Sequence, residues 1–266
     1  MKRILTILSL LFCGFAYADT INLHWRNYDG TTYQDSTCVV DSDLLLPSTT
    51  PTRYGYTFTG WKLSNYTPIE YIRSTGTQYI DMGVKQGNSD TYATELKYKF
   101  VENPSTSGGG ASLCGTWRNG YSSWGQLYTM NDATSLWASN PNTQVSGSVT
   151  TQRNTIYTDK FEINVINGSV TRIRNNITYT SSGFVFSPAF PDNVFLFAYN
   201  DGNNRPGQLS NAVLYSAKVW LNDTLVRDMI PVLDNDGVPC MFDKVTQQFF
   251  YNQGTGQFIA GPVLQQ

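Results

Sequence analysis

The sequence predicts an all-β protein, a small β module followed by a larger antiparallel β-sandwich. Short apolar runs of strand character recur along most of the chain, turn residues separate them, and no amphipathic helical stretch of ten or more residues interrupts them. Many short strands broken by turns imply a sandwich or a closed barrel rather than a parallel sheet. Composition agrees: charged residues make up 14% of the chain and aromatics another 14%, where about 25% charged is usual for a globular domain. Solubility then rests on Asn, Ser, Thr and Gln, as is common in extracellular β modules.

The first element is a leader. Met1 to Ala18 has a basic start at Lys2 and Arg3, an apolar run from Ile4 to Phe15, and Ala16-Tyr17-Ala18 before Asp19. These are the marks of a cleaved secretory signal, and the run is shorter than the ~20 residues a spanning helix needs. Phe12 stands before Cys13, where lipid-attachment signals prefer a small residue, which argues against lipidation. No later segment reaches membrane-spanning length, so the expected location is secreted or extracytoplasmic: periplasm, cell surface or extracellular.

Loss of Lys2 and Arg3 with the leader leaves 16 basic against 20 acidic residues, a net charge of −4 with no Lys/Arg cluster. That argues against nucleic acid as a partner, because phosphate binding needs clustered basic charge. Three cysteines remain, Cys38, Cys114 and Cys240, an odd number that leaves at least one unpaired within a monomer. A bridge between Cys114 and Cys240 is the candidate disulfide in an oxidising compartment. Metal binding by these cysteines is not expected, since none forms a C-x-x-C pair and His24 is the sole histidine.

In the small module, residues 19–64, Ile21, Leu23 and Trp25 alternate with Asn22, His24 and Arg26, the period of a half-buried strand. Tyr28-Asp29-Gly30 supplies a hairpin turn, and strands are expected over residues 31–40 and 54–63. The closing piece PTRYGYTFTGWKL resembles the end of the Listeria-Bacteroides repeat, the internalin B-repeat type. The resemblance covers residues 19–63 and implies a β-grasp-like surface-protein module, with Phe58 and Trp61 read as core. A module this small needs its large aromatics to form a core at all.

A polar link with Pro68 leads into the second domain, residues 68–263. Its expected strands are 69–72, 79–84, 92–101, 111–117, 125–130, 160–166, 170–174, 194–199, 212–221, 225–232, 238–242 and 248–250. Asn167-Gly168 is the clearest hairpin turn. Three blocks, IEYIRSTGTQYIDMGV, VFLFAYNDGNNRPGQLSNAVLYSAKVWLNDTLVRDMIPV and GVPCMFDKVTQQFFYNQGTGQF, resemble the laminin-G-like, concanavalin A-like jelly rolls of bacterial surface and phage-associated proteins. The resemblance implies a jelly roll and leaves function open, because that fold carries lectins, glycanases and adhesion modules alike. The tail from Leu225 to Ala260 should close one edge of the sandwich through its aromatic load, each ring worth about 1.5–3 kcal/mol on burial.

The chemistry is mostly negative. A retaining glycanase of this fold needs two carboxylates on one strand face, and Glu95, Glu102 and Glu162 each lack an acidic partner two residues away. With His24 outside the second domain, a Ser-His-Asp site there is excluded, so no catalytic residue is assigned. Sugar binding needs flat aromatic faces and amide or carboxylate groups. Trp117, Arg118, Asn119, Tyr121, Trp124, Asn131, Asp132 and Trp137 supply both in one loop-rich stretch, the candidate ligand site. The loop after the 194–199 strand offers Asn200, Asp201 and Asn203 as candidate Ca²⁺ ligands, against a plain solvated turn. The expected protein is a secreted or cell-surface noncatalytic recognition or adhesion protein, with a glycan or a surface protein as its partner. A structural component of a surface or appendage assembly is the alternative, and a glycan-degrading enzyme with an unusual site is the third reading.

Overall fold

A computed structural model describes residues 3–10, 20–27, 32–39, 47–64, 66–87, 89–101, 111–117, 123–130, 133–139, 144–174, 176–183 and 190–264. Among them there is no helix. The chain forms two compact units, residues 1–68 with 233–237 and 263–266, and residues 69–232 with 238–262.

Unit 1 holds β1 (Arg3–Leu10), β2 (Thr20–Arg26), β3 (Thr32–Val39), β4 (Thr57–Ser64) and β5 (Tyr66–Pro68). Four of them form a sheet in the order β3-β2-β1-β4. The expected alternation appears in β2, where Leu23 and Trp25 are fully buried, and Trp25 donates its indole N–H to Ser36 Oγ at 3.0 Å. The Asp29-Gly30 turn lies outside the described residues. Arg3–Leu10, within the segment expected to be a leader, forms β1, antiparallel to β2 and parallel to β4. Before β4 the chain turns at Arg53–Tyr56, where the Tyr56 N–H donates to the Arg53 carbonyl, Gly55 takes φ +76°, and the Arg53 guanidinium lies 4.0 Å above the Tyr56 ring. Phe58 is half-buried. Burial pushes the Tyr66 hydroxyl up to about 12.

Unit 2 opens with β6 (Ile72–Arg73), β7 (Ile80–Gly87), β8 (Thr91–Phe100), β9 (Ala111–Thr116), β10 (Ser123–Met130), β11 (Ala133–Ser139) and β12 (Gln144–Thr150). It continues with β13 (Tyr157–Asn164), β14 (Ser169–Arg174), β15 (Ile177–Ser182), β16 (Phe190–Leu196), β17 (Tyr199–Asn200), β18 (Pro206–Gly207) and β19 (Ala212–Leu221). The last are β20 (Thr224–Asp234), β21 (Pro239–Asp243), β22 (Gln248–Phe250) and β23 (Ile259–Ala260). One sheet runs β12-β11-β10-β9-β16-β7, the other β15-β14-β13-β8-β19-β20-β21-β22, and ladders along both are antiparallel. This is the antiparallel sandwich the sequence predicts. Leu96, Phe100, Phe161, Phe195, Val219 and Met241 belong to its buried core. Strands β11, β12 and β15 lie outside the strands the sequence predicts: ATSLWAS and QVSGSVT lack apolar alternation, and the short Ile177–Tyr179 alternation of ITYTSS is exposed in the fold. The β13–β14 hairpin is longer than Asn167-Gly168 alone suggests: Asn164 pairs with Ser169, and of the four residues between, only Gly168 takes positive φ, at 63°.

Three polar knots hold the unit. Asp159 is fully buried on β13 and accepts from Tyr98 Oη at 2.6 Å, Arg172 Nη2 at 2.9 Å and both Nε and Nη2 of Arg174. Burial pushes this carboxyl up, but the hydrogen bonds and charges of Arg174 and Arg172 outweigh it and hold the pKa below its ordinary value. Gln78, almost fully buried, accepts from Ser74 Oγ, the Thr75 N–H and Thr75 Oγ1, and donates to Thr77 Oγ1 and the Thr255 carbonyl. It stitches the Ser74–Gln78 turn to the tail, where a Cβ on Gly254 would collide with the Thr77 carbonyl. In the tail itself, buried Asp243 accepts from the Asp228, Val245 and Thr246 N–H groups and from Thr246 Oγ1.

The Cys114–Cys240 bridge that the sequence leaves possible is not formed. Both are buried and neither belongs to a disulfide. Cys114 sits in β9 of the first sheet and Cys240 in β21 of the second, so each fills core space as a small apolar side chain.

Candidate functional site

The site grows from one break in a strand. The sequence predicts a single strand over 194–199, but β16 stops at Leu196 and Phe197 takes φ +63°. For a bulky residue that is an outlier, and it persists because the fold fixes it from several sides. The Phe197 ring is fully buried and lies 5.2 Å from the Phe258 ring, its N–H donates to the Leu113 carbonyl at 2.6 Å, and its carbonyl accepts from the Ser210 N–H at 2.9 Å. Such strain is stored where the surroundings over-determine it, often at functional sites. Here the break reverses the chain. β16 runs antiparallel to β9, whereas β17 runs parallel to it, with Asn200 opposite Thr116.

The reversal brings two separately predicted candidates together. The Trp117 N–H donates to the Asn200 carbonyl at 2.7 Å, and the Trp117 ring meets the Tyr199 ring edge-on, 5.6 Å between centroids. Tyr199 in turn covers Gly207, where any Cβ would collide with the ring. Both aromatics are half-buried. Asn200 is fully buried and its amide organises the turn: Oδ1 accepts from the Gly202 and Asn204 N–H groups, and Nδ2 donates to the Asn193 carbonyl at 3.0 Å and to Asn204 Oδ1.

That turn overhangs a cavity of about 260 Å³ lined by Lys85, Asp192, Asn193, Gly202, Asn203 and Asn204. Asn193 stands opposite Lys85 in the β16–β7 ladder, and its Nδ2 is fixed by donation to Asp81 Oδ2 at 2.9 Å. The cavity presents an ammonium group, amides and a carboxylate with no apolar side chain among its lining residues.

Of the candidate calcium ligands, Asn200 and Asp201 use their side-chain oxygens within the turn. Asp201 Oδ1 accepts from the Asn203 and Arg205 N–H groups, and Oδ2 from Arg205 Nε at 2.9 Å. The Arg205 guanidinium also lies against Asp201 Oδ2, its Nη2 2.9 Å away. Slight burial pushes the Asp201 carboxyl up, but these N–H donors and the Arg205 charge outweigh it and hold the pKa below the ordinary value.

Of the predicted ligand residues, Arg118, Asn119, Tyr121, Asn131 and Asp132 lie outside the described residues. The strand register brings Trp124 opposite Thr116, next to Trp117, and sets Trp137 opposite Gln126 on the following strand. The backbone thus places Trp117, just past the end of β9, near Trp124 on β10 and Trp137 on β11. Lys85, Asp192, Asn193 and Tyr199 escaped sequence reasoning as site residues. No local signal could have joined Lys85 to Asn193, because only the ladder between distant strands makes them neighbours. A second juxtaposition was also hidden: Glu95 pairs with Lys160 and Glu162 with Ala93, so the two glutamates stand at diagonal strand positions, with backbones about 7–8 Å apart. Glu95 faces Lys218 Nζ at 3.6 Å.

The sequence matches no family model and no curated protein sequence. Among solved structures it is similar to a provisionally assigned carbohydrate-binding protein from Bacteroides ovatus ATCC 8483, with 12% identity over 92% of this chain and 68% of that one and a TM-score of 0.49. A second likeness is to the CBM40 of the Ruminococcus gnavus IT-sialidase, with 15% identity over 61% of this chain and 92% of that one and a TM-score of 0.41. A third is to alginate lyase A1-II', of polysaccharide lyase family 7, with 16% identity over 52% of this chain and a TM-score of 0.37. The match spans 65% of that lyase, just under two thirds of its length. At these identities and scores the likenesses do not bear on what this chain binds.

Proposed function

We propose that this protein is a secreted or surface-located recognition module without catalytic activity, and that it binds a glycan at the 199–205 end of unit 2. The observation that carries this reading is the meeting of an aromatic corner, Trp117 on Tyr199, with a polar cavity on one strained turn. Aromatic rings suit the apolar faces of sugars, while ammonium, amide and carboxylate groups suit their hydroxyls. The cavity is slightly smaller than the ~300–1,000 Å³ of small-molecule pockets, a size for one sugar unit of a longer chain. The noncatalytic part rests on the acids: Glu95 is paired with lysine on an outer sheet face, and Asp159 is sealed in the core with every contact used. A glycan array probed with the full chain tests the reading. Binding should appear and weaken at least several-fold in Lys85→Ala and Trp117→Ala, and a chain that binds no glycan on the array sinks it.

A further inference from the structure

We infer that unit 1 is built to accept a strand from another protein once its leader is cut away. β1 is the apolar run of that leader, and it fills a slot between β2 and β4. On one side Leu8 pairs with Trp25, Ser9 with His24 and Leu10 with Leu23, antiparallel. On the other side the pairing runs from Arg3 opposite Thr57 to Ser9 opposite Ser64, parallel. Cleavage after Ala18, which the Ala16-Tyr17-Ala18 pattern marks, separates this strand from the rest of the chain. The consequence depends on that cut and is independent of whether unit 2 binds a glycan.

Without β1, two backbone edges face each other across a gap one strand wide, about 9–10 Å from β2 to β4 at ordinary strand spacing. Each edge is a row of N–H and C=O groups that an incoming strand can complete. Adding an extended segment to such an edge is an established mode of protein recognition. Leu23 and Trp25, fully buried in the chain with β1 in place, stand opposite the positions the leader vacates.

The slot also specifies its occupant. The segment must lie antiparallel to β2 and parallel to β4, span eight residues, and resemble RILTILSL, uncharged after its first residue and mixing apolar side chains with Ser and Thr. Every described strand from β2 to β23 is already paired within its own chain, so none of these is spare in a second copy. The donor we propose is a different chain with a loose, uncharged, apolar segment, as a neighbouring subunit in a surface or appendage assembly would supply.

The test starts from the full chain with a protease recognition sequence placed within residues 11–18 and cut after folding. The cut protein should keep its own fragment through size exclusion, exchange it one-to-one for a fluorescent RILTILSL peptide, and bind the Ile7→Pro peptide at least about ten-fold more weakly, because proline cannot donate to the ladder. Loss of the fragment with no uptake of labelled peptide and an unchanged melting temperature would mean that β2 has closed onto β4, and would overturn the proposal. So would dimerisation of the cut protein, which would make a second copy the occupant. Recovery of exported protein that still carries Met1 would show the slot filled by the chain's own leader, and the proposal would fall on that ground instead.

Discussion

Two buried side-chain amides organise two turns of unit 2, and only one of those turns leaves room for anything else. Gln78 satisfies Ser74, Thr75 and Thr77 and then reaches the Thr255 carbonyl. The facing tail packs so closely that even a methyl group on Gly254 would strike Thr77. Asn200 satisfies Gly202 and Asn204 in the same manner, yet its turn stands over a cavity of about 260 Å³ with Lys85 and Asn193 across from it. Polar density is thus no guide to function in this protein. Space left over after the polar groups have satisfied one another is the better guide, and a strained Phe197 marks the place where the fold opened that space.

If the sealed knots hold the fold and the open turn recognises a ligand, substitutions should divide cleanly between stability and binding. The largest effect belongs to the most sealed knot: Asp159→Ala leaves two buried guanidinium groups without their carboxylate and should cost about 3–5 kcal/mol, read by urea denaturation. Wild-type stability within about 1 kcal/mol would break the comparison. The same knot predicts a pH window. The folded Asp159 carboxyl titrates below its ordinary value, so the unfolded chain takes up that proton first; the contribution is full above pH about 4 and fades as pH falls further. Burial first, and then the Asp159 charge, push the Tyr98 hydroxyl well above its ordinary value. Its contribution is therefore full below pH about 10 and fades above it. Melting temperatures from pH 2 to 11 check both limbs, and Asp159→Ala should flatten the acid one.

Next in size is Gln78→Ala, which strands several buried partners and should cost about 2–3 kcal/mol while leaving glycan binding intact once the protein is folded. Asn200→Ala should cost about 1–2 kcal/mol and also abolish binding, because the cavity rim is built on its amide. The smallest stability effect is expected for exposed Lys85→Ala, within about 0.5 kcal/mol, with glycan binding weakened about ten-fold. Should Lys85→Ala unfold the protein, or Gln78→Ala alone remove binding, the division between sealed and open turns would be wrong.

The sequence by itself determined the elements in which side-chain pattern and turn chemistry agree. Leu23 and Trp25 alternate inward as their spacing demands, and the tail closes through Met241, Phe242 and Asp243 as its apolar and turn residues suggest. Strands such as ITYTSS were hidden because their apolar residues, Ile177 and Tyr179, are few and stay exposed, and a neighbouring ladder makes them strands. Trp117 and Asn200 were each legible as candidates, but as members of two unrelated sites. Their union, the pairing of Asn193 with Lys85, the separation of Cys114 from Cys240 onto different sheets, and the place of Arg3–Leu10 between β2 and β4 were decided by tertiary structure alone. The physical reason is common to all four. A strand's own residues fix which way each side chain alternates, whereas its neighbours are fixed by hydrogen bonds between segments far apart in the chain, where local sequence carries no record of the partner.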